Sequence, residues 1–150
     1  MFNTGIEREE KPMTTVNYLT QTQGLTIDGI TLPLVLRYFE TMNAGNYEAT
    51  AALFADSGAM HPPFEQPIEG TDAIASYLNA EATGMQLLPR QGVAEILDNG
   101  DTEVQVTGRV ETPFFGVNVA WIFVLNPNQD ITFARIKLLA SPQELLNLRR

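Results

Sequence analysis

Among the side chains that join a large apolar body to a hydrogen-bond donor, Trp121 and Tyr38 stand out. Trp121 is the only tryptophan and lies in an uncharged stretch, TPFFGVNVAWIF, from Thr112 to Phe123. Alternation along that stretch predicts a strand with Val117, Val119, Trp121 and Phe123 on one face and Asn118, Ala120, Ile122 and Val124 on the other, both faces covered. Tyr38 sits at helical spacing with Leu34 and Met42, so it is predicted to face inward. A buried indole N–H and a buried phenol O–H both need an acceptor. Phe64, Tyr77, Phe114, Phe115, Phe123 and Phe133 are candidates to line one cavity with these two, although core packing explains any single phenylalanine. A cavity that is apolar except for two convergent donors suits a long apolar ligand ending in a carbonyl.

Catalytic groups are sparse by comparison. Asp56, Glu65, Glu69, Asp98, Asp101 and Glu103 fall in predicted turns or on polar strand faces, where a carboxylate is solvated and has no perturbed environment to work with. His61 precedes two prolines on a predicted loop, and as a lone base it has no evident carboxylate to orient it. The glycines make no phosphate loop and read as turn punctuation. No enzymatic activity is expected.

Composition narrows the classes further. A chain of 150 residues fits one domain able to bury a full core. The formal net charge of −9 argues against nucleic acid and against an anionic membrane surface. With no cysteine and one histidine, disulfides, thiolate sites and His-rich metal sites are excluded for this chain. No apolar run approaches a membrane span, and the charged N-terminus does not resemble a signal peptide, so an intracellular protein is expected.

The elements that must position Tyr38 and Trp121 can be read in order. Residues 1–31 read as a polar tail with a short element near Val16–Leu19. Leu34, Val35, Tyr38, Phe39 and Met42 predict a helix that Pro33 starts and Asn43-Ala44-Gly45 stops. A short second helix is predicted over Tyr47–Phe54, with Leu53 and Phe54 turned inward. His61-Pro62-Pro63-Phe64 is an extended segment. Gly70-Thr71-Asp72 opens a third helix carrying Ile74, Tyr77, Leu78 and Ala82. Strands follow over Gln86–Ile96, around Val104–Val110, through Trp121, and over Ile131–Ala140, with Ser141-Pro142 starting a last short helix. Helices first and a strand meander after them predict an α+β domain over residues 32–150, with helices packed on one face of a sheet.

At these residues the sequence resembles a known family. The segments VLRYFETMNAGNYEATAALFADSGAMHPPFEQPIEG, EATGMQLLPRQGV, VTGRVETPFFGVNVAWIF and LLASPQELLNL, covering most of Leu32–Leu148, are similar to the C-terminal domain of the orange carotenoid proteins, in the form of its stand-alone homologs. The resemblance implies the nuclear transport factor 2-like fold, a curved antiparallel sheet with helices on its concave face. It implies that the tyrosine of the YF…MNA segment, Tyr38, and the tryptophan of the AW dipeptide, Trp121, donate to the keto oxygen of a ketocarotenoid of the echinenone or canthaxanthin type. The implied apolar wall comes from Met42, Phe64, Met85, Leu87, Val110, Phe114, Phe123, Ile136 and Leu138.

The same resemblance implies a carrier that takes pigment up from membranes and passes it to a helical carotenoid protein, in photoprotection and singlet-oxygen quenching. A homodimer sharing one carotenoid through its sheet faces is expected, because one small domain leaves half the pigment exposed. Transient membrane contact, a cytoplasmic location near thylakoid membranes and no nucleic-acid partner belong to this expectation. Some departures stand out. The helical N-terminal domain of the full-length family is not in this sequence, Phe114 stands where that family often has tryptophan, Lys137 where it tends to have an acid, and the cysteine of some redox-controlled homologs is missing. The alternatives are a ketosteroid-isomerase-like enzyme, which needs a carboxylate or histidine deep in the pocket, and a pigment-free module that dimerises through its sheet.

Overall fold

The first helix forms where an uninterrupted apolar stripe meets a proline start. The computed structural model describes residues 25–139, and within them α1 spans Pro33–Asn43 with Pro33 in its first turn. It buries Val35, Tyr38, Phe39 and Met42. A short α2 follows over Tyr47–Ala51, its first turn capped by the Asn46 side chain, which accepts from the Ala49 N–H at 3.3 Å. The chain then turns directly into β1, Phe54–His61, and the short β2, Ile68–Glu69. Next come α3 over Thr71–Glu81, β3 over Gln86–Ile96, β4 over Thr102–Glu111, β5 over Gly116–Leu125 and β6 over Ile131–Leu139.

The six strands make one curved sheet in the order β2-β1-β6-β5-β4-β3. The α+β expectation holds, with one difference: β1 runs parallel to β6, so the sheet is mixed and not wholly antiparallel. The inner face is continuous across strands. Val106, Trp121 and Ile136 stand side by side, as do Val104, Phe123 and Ala134. The helices pack on this face, with the Phe39 ring edge-on to Trp121 at 4.8 Å and Tyr38 edge-on to Phe123 at 4.9 Å. The other face of β5 is only half-covered at Asn118, Ala120, Ile122 and Val124, so the expectation of two covered faces is corrected.

Two further readings change. Phe54 is buried as predicted, yet it opens strand β1 and does not end a helix. The strand was hidden because Asp56-Ser57-Gly58 breaks its alternation, and the register shift between Phe54 and Ala59 absorbs that break. Residues 25–31 belong to the packed domain and not to a tail: Ile27 and Ile30 are buried in the core. Asp28 bridges onto the edge strand β3, its N–H donating to Arg90 O at 3.0 Å and its carbonyl accepting from Gly92 N–H at 2.8 Å. Val16–Leu19 and the expected helix after Ser141 lie outside the described residues.

The docking of Ile30 on β3 depends on Gly92. A Cβ there would lie 2.6 Å from Gln105 O and 2.9 Å from Ile30 Cγ1. Gly92→Ala is therefore expected to lower stability by about 1–3 kcal/mol, the usual effect of overpacking. A denaturant midpoint equal to that of the wild type would show that this segment does not depend on the glycine.

Candidate functional site

Helix and sheet do not close completely on each other. Between them lies a cavity of about 360 Å³, at the lower end of the range typical of small-molecule sites, roughly 300–1,000 Å³. Its floor is the inner face of the sheet. Trp121 and Ile136 lie side by side there, as do Val119 and Leu138, and Leu87, Val110 and Val117 line up across β3, β4 and β5. Its roof is Tyr38 and Met42 from α1 with Leu78 from α3. Asn43 ties roof to floor: its side chain accepts from the Leu87 N–H at 2.7 Å and donates to the Leu87 carbonyl at 2.9 Å.

The lining is almost wholly apolar, and its polar exceptions are specific. Tyr38 is 1% exposed and Trp121 2%. Buried Tyr47 donates its hydroxyl to Ala82 O at 3.0 Å, whereas no residue among those described accepts from the Tyr38 hydroxyl or the Trp121 indole N–H. Leaving a buried donor unpaired costs about 1–3 kcal/mol. Both residues line the same apolar cavity, an arrangement that suits an acceptor atom on an apolar ligand. Burial pushes the Tyr38 hydroxyl well above the ordinary tyrosine range, so it keeps its proton and serves as a donor.

Among the described lining residues the one carboxylate is Glu81, exposed in the last turn of α3. His61 does not line the cavity. It lies beside Phe133, ring centroids 6.3 Å apart, and the strand register puts both on the opposite face of the sheet.

Nine of the eleven residues singled out in the sequence line this cavity: Tyr38, Met42, Phe64, Met85, Leu87, Val110, Trp121, Ile136 and Leu138. Phe123 does not, because it is fully buried beneath Tyr38 and Phe39, where it supports the roof. Phe114 does not, because it points out of the Thr112–Phe115 turn and is 90% exposed. Phe115 and Tyr77 are lining residues, as the aromatic pattern suggested, but Phe133 is not. Met60 and Pro62 were missed along with strand β1. The signal for Met60 was its place two residues before the Pro-Pro pair, which follows the strand.

The SnoaL-like domain family model matches residues 35–126. The orange carotenoid-binding protein of Limnospira maxima is 39% identical over 146 residues, covering 95% of this chain and 46% of that protein. The orange carotenoid-binding protein of Synechocystis sp. is 42% identical over 130 residues, 84% of this chain and 41% of that protein. In structure, the orange carotenoid protein of Anabaena (Nostoc) sp. binding canthaxanthin is similar with a TM-score of 0.76 and 48% identity, over 82% of this chain and 40% of that one. The chain thus spans less than half the length of these relatives, and its fold is nuclear transport factor 2-like.

The buried hydroxyl gives this site a pH signature. Tyr38 ionises near 10.0 in the unfolded chain but higher in the folded one. Its contribution is complete below about pH 10 and falls as pH rises from there, because only the unfolded state releases the proton. Unfolding titrations should show alkaline destabilisation that is smaller in Tyr38→Phe. An identical alkaline slope in the two proteins would place the ionisation elsewhere.

Proposed function

The chain belongs to the SnoaL-like domain family, and from this and its cavity we propose that it is a ketocarotenoid-binding carrier and not an enzyme. It is homologous to the C-terminal domain of orange carotenoid proteins, which supports carotenoid binding in the general sense. The observation that carries the finer reading is a pair of buried donors, Tyr38 and Trp121, that have no acceptor among the described residues and line one apolar cavity. A ring keto oxygen would accept from both, and the apolar ring would lie against Met42, Leu87, Val110 and Ile136.

The lining residues also favour binding over catalysis. A hydrolase or isomerase of this size needs an acid or base against the reacting atoms. Here the lining carboxylate is exposed Glu81, and His61 lies outside the lining.

A cavity of about 360 Å³ takes one end of a forty-carbon pigment. The remainder would project as apolar surface, at roughly 25 cal/mol per Å². Two copies sharing one pigment, each holding one ring oxygen, would remove that exposure and match a symmetric diketone such as canthaxanthin. An open cavity mouth suits exchange, with uptake from a membrane and delivery to a helical carotenoid protein, and the function served would be photoprotection.

The donors would also set the colour. Hydrogen bonds to the carbonyl favour charge displacement along the polyene and move absorption to the red. Expression in a ketocarotenoid-producing host should yield coloured protein. Tyr38→Phe and Trp121→Phe should each weaken binding by about 1 kcal/mol or more, about five-fold, and shift absorption to the blue. A colourless wild type, or unchanged colour and affinity in both variants, would contradict the proposal.

A further inference from the structure

The mouth of the cavity carries a surface that the ligand site alone does not explain. Phe64 is 95% exposed, Phe114 90% and Phe115 60%. Phe64 and Phe115 line the opening, and Phe114 is the neighbour of Phe115 in the same turn. Single exposed phenylalanines are common, but an aromatic cluster continuous with an apolar cavity marks an interaction surface.

The chain holds these rings out by construction. Phe64 follows Pro62-Pro63 and has φ of 65°, a left-handed backbone that is rare and costly for a bulky residue. Phe114 and Phe115 sit in a turn closed on Thr112, whose Oγ1 accepts from their N–H groups at 3.1 and 3.0 Å and donates to Phe115 O at 2.8 Å. Backbone strain and a closed turn thus present the rings to solvent without any packing gain within the described residues.

Charge selects the occupant. Among the described residues no lysine or arginine lines the cavity. Glu65 follows Phe64 and Glu81 is at the rim; the Tyr77 hydroxyl is raised above the ordinary tyrosine range first by burial and then by these two carboxylates. These two carboxylates, on a chain of net charge −9, disfavour anionic lipid. A second copy seated rim to rim, with no pigment spanning the two cavities, would bring four such carboxylates toward one interface. A bilayer interface of uncharged or zwitterionic lipid accepts aromatic rings while leaving carboxylates in the headgroup water.

We propose that the unloaded chain docks this phenylalanine rim on a bilayer of net-uncharged lipid, so that its cavity opens toward the hydrocarbon. The proposal rests on the reading of the cavity as a carotenoid site and adds the face, the lipid class and the state of the protein that docks. Phe114 is the probe, because it belongs to the rim and not to the cavity lining.

The test has two arms. Pigment-free full-length chain is floated with phosphatidylcholine vesicles and with vesicles one-third phosphatidylglycerol. Separately, canthaxanthin is supplied from phosphatidylcholine vesicles or from detergent micelles and uptake is followed by absorbance. The wild type should float with the zwitterionic vesicles and less with the anionic ones. Phe114→Ser should lose about ten-fold in flotation and in the rate of uptake from vesicles, with colour and affinity from detergent unchanged, and Phe114→Trp should restore both. Flotation of Phe114→Ser equal to wild type, preference for the anionic vesicles, or a pigment-free dimer that Phe114→Ser breaks in the absence of any flotation would each overturn the docking. Failure of the wild type to take pigment from detergent while it still floats would overturn the pigment reading and leave the docking established.

Discussion

The site depends on a polar deficit inside an apolar space. Tyr38 and Trp121 are buried to within 2% of full burial, and both keep a donor without an acceptor among the described residues. Proteins rarely leave such groups unpaired, because each costs as much as a good hydrogen bond gains. The surrounding architecture maintains the deficit. Phe39 and Phe123 pack edge-on against the two rings and fix their orientation, and the inner-face rows of β4, β5 and β6 offer only carbon to the donors.

Stability and function therefore pull against each other at one place. The cavity removes contacts that a filled core would have, and the rim exposes three phenylalanines that a filled surface would hide. The compensation lies around the site. Asn43 clamps α1 to the Leu87 backbone, and the Asp28 bridge covers part of the free edge of β3. A buried hydroxyl pair, Thr41 and Thr50 at 2.7 Å, joins α1 to α2. Each ties together segments that line the cavity or support it, so the space persists without the ligand having to organise it.

Much of this was legible in the residues. Helix α1 was readable because Pro33 and the Asn43-Ala44-Gly45 stop bracket a clean stripe. Strand β4 was readable because Val104, Val106 and Val110 alternate with Glu103, Gln105, Thr107 and Arg109, and β5 because an uncharged apolar run holds the one tryptophan. Tyr38 and Trp121 stood out as aromatics with polar handles at inward positions. What could not be read was geometry set by tertiary contact. The bulge in β1 scrambled its alternation, which hid Met60 and the parallel pairing with β6. Ile27 and Ile30 looked like part of a polar tail, because two apolar residues in a loop carry no period. Phe114 and Phe115 are chemically identical, and only the Thr112 turn decides that one lines the cavity while its neighbour faces solvent.

The central claim is that two protein donors meet one ring carbonyl, and the carbonyl itself can report it. The keto C=O stretching frequency of protein-bound canthaxanthin, measured by vibrational spectroscopy against the same pigment in hexane, gives the most direct reading. Two hydrogen bonds predict a clear downshift, reduced stepwise by removing one donor and then both. A frequency equal to that in hexane in the wild-type complex would contradict the account.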